Sequence, residues 1–530
     1  MLLRLPHQTT TPGAPFQVKK TLRNWVSRGK RKITARLQAL RGGAQPRSGR
    51  PEFARDRPRY EASERVEAIS CGGIGVIHQL AHAVGLPNAI DNDVTVLRRR
   101  RPYSESDHVL NIAYNLLCGG QVLDDIELRR NDIGYLRALG ARAIPDPTTA
   151  GDFCRRFGGA DIQQLMDTFN RIRVAVWKRA RLNLDETARI DVDGSILSTE
   201  GVCKQGMDVS YKGVWGYHPL LVTLANTQEP LFIVNRSGNR PSHDGAAAYL
   251  DRAIGVVRAA GFSDVLLRGD TDFTQTGHLD RWHMDGVRFV FGYDANPTFV
   301  ERAENIELGD YADLERKAGQ AFSSKETRAK QPRVKQAIVA ERGYLNKRLE
   351  SEDTAEFQHK PGKATHEYRI VVLRKMIIEE RGQLALDTYF KYFFYVTNDA
   401  SMTQAQVVAE SNQRCQQENI IHHLKSGVRA LHAPLNTLDA NWAYMVIASL
   451  AWSLKAWFGL LHPQPAKPPK PSSRAKPNMT TRILAMGFRT FVNRLILIPT
   501  QILIHARTRV FRLLAWRPDV AALLHVHDSL

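Results

Sequence analysis

The sequence lacks the cysteine pairs that would indicate a zinc finger or a disulfide framework. Five of its 530 residues are cysteine, and none of them stands in a C-x2-C pair. The five are spread along the chain, at Cys71, Cys118, Cys154, Cys203 and Cys415. Scattered cysteines in a large protein fit a reducing compartment such as the cytoplasm.

Long apolar runs and a secretory signal are also missing. The longest apolar run, WAYMVIASLAWSL from Trp442 to Leu454, is too short to span a bilayer and is followed by Lys455. A second stretch, FVNRLILIPTQILI, is interrupted by Arg494 and Pro499. We interpret both as buried helices, and MLLRLP at the N-terminus is too short for a signal peptide. No membrane association is therefore expected.

Acidic residues are in deficit, with 54 Asp and Glu against 74 Lys and Arg, which gives a net charge of +20. Such an excess favours a polyanionic partner, and DNA is preferred over an anionic membrane. Hydrophobic residues make up 43% of the chain, enough to build a core and to exclude a disordered protein. A chain of 530 residues should contain several domains or a large insertion.

The N-terminal third is predicted to consist of a basic arm followed by helices. Residues 1–62 are rich in Arg, Pro and Gly, and they are either a solvated tail or an arm that contacts DNA. Residues 63–183 have helical periodicity, as in ESDHVLNIAYNLLCGG and ADIQQLMDTFNRIRVAVWKRAR. This region is a candidate DNA-binding domain, with a plain packing domain as the alternative.

The remainder is predicted to be an interrupted α/β domain. Strands in series and then alternating with helices over residues 184–296 indicate a mixed sheet. Residues 297–388 are charged and contain alternating stretches such as EYRIVVLRKMII, which predict a β-rich insertion. The core should resume over 389–462, beginning with strand KYFFYVTN. A Pro/Lys-rich linker at 463–477 and a basic helical segment at 478–530 complete the chain.

Three acidic residues stand out by their positions. Asp193 in ARIDVDGS and Asp270 in SDVLLRGDTDF each end an apolar run, and Glu418 lies in the pattern R-x3-E-x6-K. At roughly 100° per residue, Arg414, Glu418 and Lys425 fall within about 40° of one another on one helix face. Asp191 competes with Asp193, and Asp272 competes with Asp270, because each lies two positions away in an extended strand.

Carboxylates at the ends of neighbouring strands, with one more from a helix, suit phosphodiester chemistry. Two Mg²⁺ ions about 3.5–4 Å apart can activate the attacking oxygen and stabilise the leaving oxygen. Mg²⁺ prefers oxygen ligands, and the flanking cations would contact phosphate. Taken singly, each Asp is more simply a turn residue and the Glu a solvated ion-pair partner. The ordered triple in basic surroundings favours a metal-dependent enzyme that acts on phosphodiesters.

The chain resembles a bacterial insertion-sequence transposase of the DDE type, in the subgroup called DDE domain group 1. The resemblance runs from about residue 65 to at least 460. It is carried by LDDIELRRND, IPDPTTAGDFCRRF, DVDGS, GYHPLLVTLAN, LRGDTDF, YVTND and NQRCQQENIIHHLKSG, in that order. It implies an RNase H-like core with Asp193 and Asp270 on adjacent central strands and Glu418 on a later helix.

The resemblance also implies residue roles and partners. Asp193, or alternatively Asp191, would hold two Mg²⁺ ions together with Asp270 and Glu418, and Mn²⁺ could substitute. Arg414, Lys425 and Arg268 would contact DNA. The family's Y-x2-R-x3-E-x6-K signature has Ser411 at its tyrosine position, and residues 297–388 contain no Trp that could hold a flipped base.

The implied function is binding of an element's terminal inverted repeats, metal-dependent cleavage there, and transfer of the freed 3′-OH into target DNA. Synapsis of two ends implies a dimer on DNA, in the bacterial cytoplasm at the nucleoid. Two alternatives stay open: a nuclease that cuts without joining strands, and a DNA-binding relative without catalysis.

Overall fold

The computed structural model describes residues 67–199, 201–314, 345–381, 384–463, 478–505, 508–514 and 519–530. The predicted basic arm and nearly all of the Pro/Lys-rich linker lie outside the described residues. So does the RAKQPRVKQ stretch of the predicted insertion.

Strands and helices alternate through the middle of the chain and helices dominate its N-terminal part. The strands are β1 (Glu67–Ile69), β2 (Ala188–Gly194), β3 (Leu197–Ser198), β4 (Asp208–Val209), β5 (Trp215–Tyr217), β6 (Leu220–Leu224), β7 (Glu229–Val234), β8 (Val265–Gly269), β9 (Arg288–Tyr293), β10 (Ala312–Asp313), β11 (Leu345–His359), β12 (Tyr368–Arg381), β13 (Leu384–Thr397), β14 (Thr500–His505) and β15 (Thr508–Leu513).

The α-helices before the first long strand are α1 (Ile74–Ala83), α2 (Leu86–Asp93), α3 (Glu105–Leu117), α4 (Ile126–Arg130), α5 (Ile133–Leu139), α6 (Pro147–Cys154) and α7 (Gly159–Ala180). Those that follow are α8 (Ala246–Ala260), α9 (Leu279–Met284), α10 (Pro297–Glu304), α11 (Gln404–Gln413), α12 (Cys415–His422), α13 (Leu438–Leu460), α14 (Met479–Leu484), α15 (Phe488–Phe491) and α16 (Val520–Ser529).

A nine-stranded mixed sheet forms the centre of the protein, in the order β10-β11-β12-β13-β9-β8-β2-β6-β7. β2 pairs with β8 and β8 with β9 in parallel, whereas the other neighbours are antiparallel. Every residue of β6, β7 and β8 is buried, as expected for strands covered on both faces. The order β7-β6-β2-β8-β9 is that of an RNase H-like sheet, and the predicted fold class is confirmed.

The predicted β-rich insertion continues the central sheet and does not stand apart from it. β13 runs without a break through the predicted boundary at 388/389, and its last residues, Phe394–Thr397, pair with β9. β11 and β12 add to it by long antiparallel ladders. One strand therefore contains both the end of the predicted insertion and the predicted core strand KYFFYVTN.

The C-terminal segment contains a β-hairpin where the sequence analysis predicted helices throughout. β14 and β15 pair antiparallel, and β14 also pairs with β1 at the opposite end of the described chain. Pro499 precedes the hairpin, and the β-branched Thr, Ile and Val residues of TQILIH and TRVFRL favour strands over helices. The segment therefore packs onto the N-terminal helices, while α14, α15 and α16 remain helical as predicted.

Helix α13 runs through the middle of the molecule. Its residues from Ala440 to Leu460 are all buried, which explains why the helix is apolar all round. It is long and apolar enough to cross a membrane, but the window that meets this test is 100% buried inside the protein. The prediction of a buried helix is confirmed, although the helix is longer than the apolar run suggested.

A buried carboxylate fastens the N-terminal helices to the sheet and to α13. Glu229 at the start of β7 accepts hydrogen bonds from Arg173 Nε at 2.9 Å and Trp457 Nε1 at 2.8 Å on Oε1. Its Oε2 accepts from Trp177 Nε1 at 2.8 Å. These three hydrogen bonds compensate the Glu229 carboxylate for the water that it loses, so its burial becomes less costly. The helical region thus shares one hydrophobic core with the α/β region.

Replacing Lys455 by methionine should stabilise the protein at neutral pH. Lys455 is 1% exposed, donates to the Leu484 carbonyl at 2.8 Å and lies 3.8 Å from the centre of the Trp452 ring. Burial lowers its pKa to about 7. Since each pKa unit corresponds to 1.36 kcal/mol, we expect Lys455→Met to raise the free energy of unfolding at pH 7 by about 2–4 kcal/mol, allowing for the lost hydrogen bond.

The stabilisation expected from Lys455→Met should depend on pH in a defined direction. Between the folded pKa of about 7 and the higher unfolded value, the unfolded chain binds more protons, so wild-type stability rises with pH. The gain from Lys455→Met should therefore shrink in urea titrations at pH 9.5 relative to pH 7. The exposed Lys178 provides the control, because Lys178→Met should change stability little and equally at both pH values. A gain from Lys455→Met that is constant with pH would contradict a depressed pKa.

Candidate active site

Asp193 and Asp270 lie side by side at the carboxyl ends of two adjacent parallel strands. The register of β2 and β8 pairs Asp191 with Arg268. Because the two strands are parallel, Asp193 and Asp270 lie two residues beyond that pair, each on its own chain segment. Asp270 directly follows β8 and begins a short 3-10 turn, where its Oδ1 accepts from the Asp272 backbone N–H at 3.0 Å. The predicted adjacency of the two strands is confirmed by the sheet pairing.

Glu418 and Arg414 approach these aspartates from the helix above the strand ends. Arg414 lies between α11 and α12, and its Nη1 donates to Asp193 Oδ2 at 3.3 Å. Glu418 occupies the first turn of α12, is exposed, and its charge acts on Asp193. The structure thus brings Asp193, Asp270 and Arg414 together, and Glu418, on the helix that follows Arg414, is near enough for its charge to act on Asp193.

Burial and mutual repulsion make the negative charge at this place unfavourable. Burial raises the pKa of Asp193 to about 6, and the charges of Asp270 and Glu418 act in the same direction while Arg414 opposes them. Burial also raises the pKa of Asp270, with Asp272 adding to the shift and Arg414 again opposing it. Carboxylates crowded in this way are stabilised by a nearby cation.

The donor atoms fit a divalent cation in type, although they do not yet enclose one. Asp193, Asp270 and Glu418 supply the carboxylate oxygens that Mg²⁺ prefers. In the described part of the chain, no group of three His, Cys, Asp or Glu side chains is arranged to hold a metal ion. One Asp193 oxygen accepts from Arg414 and the other from the Gly194 N–H at 2.8 Å. A bound ion would compete with Arg414 for Asp193.

Lys425 lines the same cleft but lies beyond the end of α12. The helix widens into a π-helical turn at His423–Gly427, so the regular spacing assumed for the R-x3-E-x6-K pattern does not extend to Lys425. Its Nζ donates to the Ile196 carbonyl at 2.9 Å, just past the end of β2. The cleft has a volume of about 440 Å³ and is lined by Asp193, Asp270 and Lys425, among others.

Arg268 and Asp191 form a buried ion pair below the cleft, which corrects two expectations. Both side chains are 1% exposed, and Arg268 donates from Nε to Asp191 Oδ1 at 2.7 Å and from Nη2 to Oδ2 at 2.9 Å. Its Nη1 also donates to Glu410 Oε2 at 2.8 Å. Arg268 is therefore not positioned to contact DNA, and Asp191 is engaged with a cation, which leaves Asp193 as the strand carboxylate that faces the cleft.

His218 is a cleft residue that the sequence analysis did not select. Its ring is buried, Nδ1 lies 3.0 Å from the Arg240 carbonyl oxygen, and it borders the same cleft as Asp193. A carbonyl neighbour requires that Nδ1 carry the proton, which leaves Nε2 as an acceptor. The available signal was a histidine within the GYHPLL motif between two strands. Tyr211 and Lys212, at the rim of the cleft, were missed because they lie in an irregular loop.

Replacing Gly194 by alanine should disturb the cleft through His218. A β-carbon at position 194 would lie 2.6 Å from His218 Nε2, inside van der Waals contact. Because the ring is buried and held by Arg240, we expect Gly194→Ala to shift it and the end of β2. Overpacking of this kind costs about 1–3 kcal/mol of stability. Activity assays and thermal melting should show activity falling by more than the stability loss explains.

Gly255 offers a matched control for this substitution. It lies in helix α8, is exposed, and an added β-carbon would meet nothing within 4 Å. Gly255→Ala should therefore stabilise the helix by roughly 0.5–1 kcal/mol and leave activity unchanged. Equal behaviour of the two variants would refute the tight contact at Gly194.

Comparisons with known proteins identify the family. The profile of the family "Transposase DDE domain group 1" matches residues 64–530. A search of curated proteins gives no match. Among solved structures, the piggyBac transposase synaptic complex with hairpin DNA is similar at 10% sequence identity and a TM-score of 0.33. That match covers 80% of this chain and 81% of the transposase chain. The family profile spans most of the protein, and the chain belongs to the transposase DDE domain group 1 family.

Proposed function

We propose that this protein is the transposase of an insertion sequence, which binds the terminal inverted repeats of its element, cleaves DNA there and joins the freed ends to target DNA. The observation that supports the proposal is that Asp193 and Asp270 lie at the ends of the adjacent parallel strands β2 and β8, with the charge of Glu418 acting on Asp193. Membership of a DDE transposase family supports it.

Asp193, Asp270 and Glu418 are the residues that would hold the metal ions. DDE transposases generally use divalent metal ions, and two Mg²⁺ ions, or Mn²⁺ in their place, would activate the attacking oxygen and neutralise charge on the leaving oxygen. The raised pKa values of Asp193 and Asp270 support this assignment, because a cation would relieve the repulsion that burial intensifies.

The cations and the aromatic residue around the cleft would bind and orient the DNA. Arg414 contacts Asp193 in this structure and is 18% exposed, so it can exchange the carboxylate for a scissile phosphate as DNA enters. Lys212 lies at the cleft rim, 5.3 Å from the centre of the Tyr211 ring. Contacts of these kinds position the phosphodiester and carry little sequence information.

The reaction would proceed in two displacements at phosphorus. Water attacks the phosphodiester at the element end, the bond to the leaving oxygen breaks, and a 3′-OH is freed. That 3′-OH then attacks a phosphodiester of the target, so one bond forms as another breaks and no external energy source is required. Since two element ends must be brought together, the active assembly is a dimer on DNA. It acts in the bacterial cytoplasm at the nucleoid.

A strand-transfer assay tests the proposal. A labelled duplex that carries the element's end and an unlabelled supercoiled plasmid as target are incubated with the protein and Mg²⁺. Label joined to the plasmid supports the transposase. Cleavage at the element boundary without joining identifies a nuclease, and specific binding without cleavage identifies a non-catalytic DNA-binding relative.

A further inference from the structure

A second cavity lies in the N-terminal helical region, outside the DDE cleft. It has a volume of about 260 Å³ and lies between the segment that leads into α3 and helix α6. Its lining includes Arg99, Arg101 and Arg156 together with Tyr103, His108 and Phe153. Three arginines around aromatic walls are an unusual lining for a packing defect, since interior cavities are normally apolar.

The arginines are presented by a segment that is fixed in place. Arg100 is held from one side, because its Nε lies 2.8 Å from Oε2 of the buried Glu105 and its Nη2 donates to the Val94 carbonyl. Asp91 fixes the start of α3 by accepting from the backbone N–H and the hydroxyl of Ser106 at 2.8 and 3.0 Å. Arg99 and Arg101, on either side of Arg100, line the cavity.

Arg99, Arg101 and Arg156 are exposed, and none of their side chains makes a hydrogen bond or an ion pair within the described part of the chain. The acidic residue on the same cavity, Asp152, accepts a hydrogen bond from Arg155 Nη1 at 2.7 Å, so its charge is already balanced. The cavity therefore has an uncompensated positive charge and is suited to an anionic ligand.

His108, on the inner wall of the cavity, has a polar atom without a hydrogen-bond partner among the described residues. His108 is 4% exposed and stacks on Phe153 with the ring centres 4.4 Å apart and an interplanar angle of 9°. Tyr103 meets the imidazole edge-on at 5.8 Å. The Nδ1 atom of His108 is buried without a hydrogen-bond partner among the described residues. Buried polar atoms without partners are rare, and the ring that carries this one lines the cavity.

The imidazole is neutral at physiological pH. Burial lowers the pKa of His108 to about 4, with Arg156 acting in the same direction and Asp107 and Asp146 opposing it. A neutral ring offers one donor and one acceptor, which suits the edge of a nucleobase better than a second anion. Aromatic walls accept the face of a base, and arginines accept its phosphates.

From these features we infer that the cavity binds one unpaired nucleotide of DNA. Its phosphates lie against Arg99, Arg101 and Arg156, and its base contacts Tyr103 with a polar edge toward His108. This inference rests on the proposed function, since it assumes that the protein acts on DNA. The cavity is smaller than the roughly 300–1,000 Å³ of ordinary ligand pockets, so it holds a single nucleotide and not a duplex.

The test compares two DNA molecules that differ in one unpaired nucleotide. One is a duplex carrying the element's end, and the other is the same duplex with a single extra nucleotide on one strand. Wild type should bind the second about tenfold more tightly, as expected for one stacked base. Arg101→Gln and His108→Phe should bring this ratio close to one, and the phenylalanine keeps the stack on Phe153 while removing the nitrogens.

Arg142→Gln is the matched control, because Arg142 is an exposed arginine of the same region that does not line the cavity. It should weaken both duplexes equally and preserve the ratio. A free deoxynucleoside monophosphate at millimolar concentration should compete weakly, and strong competition would identify a free nucleotide as the ligand. A wild-type ratio of one, or a ratio unchanged in the variants, overturns the inference while leaving the transposase proposal intact. Failure to bind either duplex overturns both.

Discussion

Replacement of Asp270 or Glu418 by alanine should abolish metal-dependent cleavage at the element's end while DNA binding persists. Each substitution removes one of the carboxylates proposed to hold the metal ions beside Asp193. Loss of a residue that acts as part of a catalytic unit typically costs at least about 10³-fold in rate. Removal of a negative charge near the phosphate should, if anything, strengthen binding.

The measurement is single-turnover cleavage of a labelled duplex with Mg²⁺, beside a binding titration in its absence. Melting temperatures should show that both variants are folded. Because burial raises the pKa of Asp270, the loss of its carboxylate should not destabilise the protein. A drop in cleavage accompanied by unfolding would therefore count against a catalytic role.

Asp272 provides the control for these variants. It is exposed, lines the same cleft and lies two residues from Asp270, but its backbone N–H and not its carboxylate contacts Asp270. Asp272→Asn should retain most of the cleavage activity. If Asp272→Asn were inactive and Asp270→Ala active, Asp272 and not Asp270 would be the catalytic aspartate.

Much of the site could be predicted because its determinants are local in the sequence. An aspartate that directly follows the apolar run Val265–Gly269 must lie at the end of that strand. A parallel neighbour ends at the same edge of the sheet. The periodicity that defined the helix near Glu418 is equally local. The strand-end position of each aspartate required no knowledge of which strands pair, whereas the adjacency of β2 and β8 was implied by the family resemblance and is seen in the structure.

The errors arose where a residue's role depends on a distant partner. Arg268 was interpreted as a DNA contact because its strand ends at the site. Its actual partner, Asp191, is 77 positions away and becomes visible only through the register of β2 with β8. The C-terminal hairpin is similar, since β14 pairs with β1 more than 400 residues earlier. No local pattern encodes either pairing, nor the approach of His218 to Gly194.

Replacement of Arg268 by methionine should destabilise the protein by about 3–5 kcal/mol, the cost of leaving a buried charge without its partner. Arg268 and Asp191 are each 1% exposed, and Arg268 also holds Glu410. Burial already raises the pKa of Asp191, with Arg268 opposing the shift. Without the guanidinium, Asp191 must either stay charged in a nonpolar surrounding or take up a proton.

Arg189 offers the comparison that separates burial from ion pairing itself. It contacts the same Glu410, at 2.7 Å, but its side chain is 31% exposed. Glu410 is itself buried but keeps Arg268 as a partner, so Arg189→Met should cost less than Arg268→Met, about 1–2 kcal/mol. Urea titrations of both variants against wild type measure the difference. If Arg268→Met were as mild as Arg189→Met, Arg268 would be accessible and a contact with DNA would again be open.

The pH dependence of the loss tests the physical cause. In Arg268→Met, the folded-state pKa of Asp191 lies above its unfolded value, because burial raises it and the opposing cation is gone. The folded variant then binds more protons than the unfolded chain, so its stability falls as pH rises through this range. The destabilisation should therefore be smaller at pH 5 than at pH 7.5. The double variant Arg268→Met, Asp191→Leu should recover much of the loss at pH 7.5, since apolar replacements of a whole buried pair are often tolerated. Such recovery would show that Arg268 and Asp191 act as a structural pair between β2 and β8.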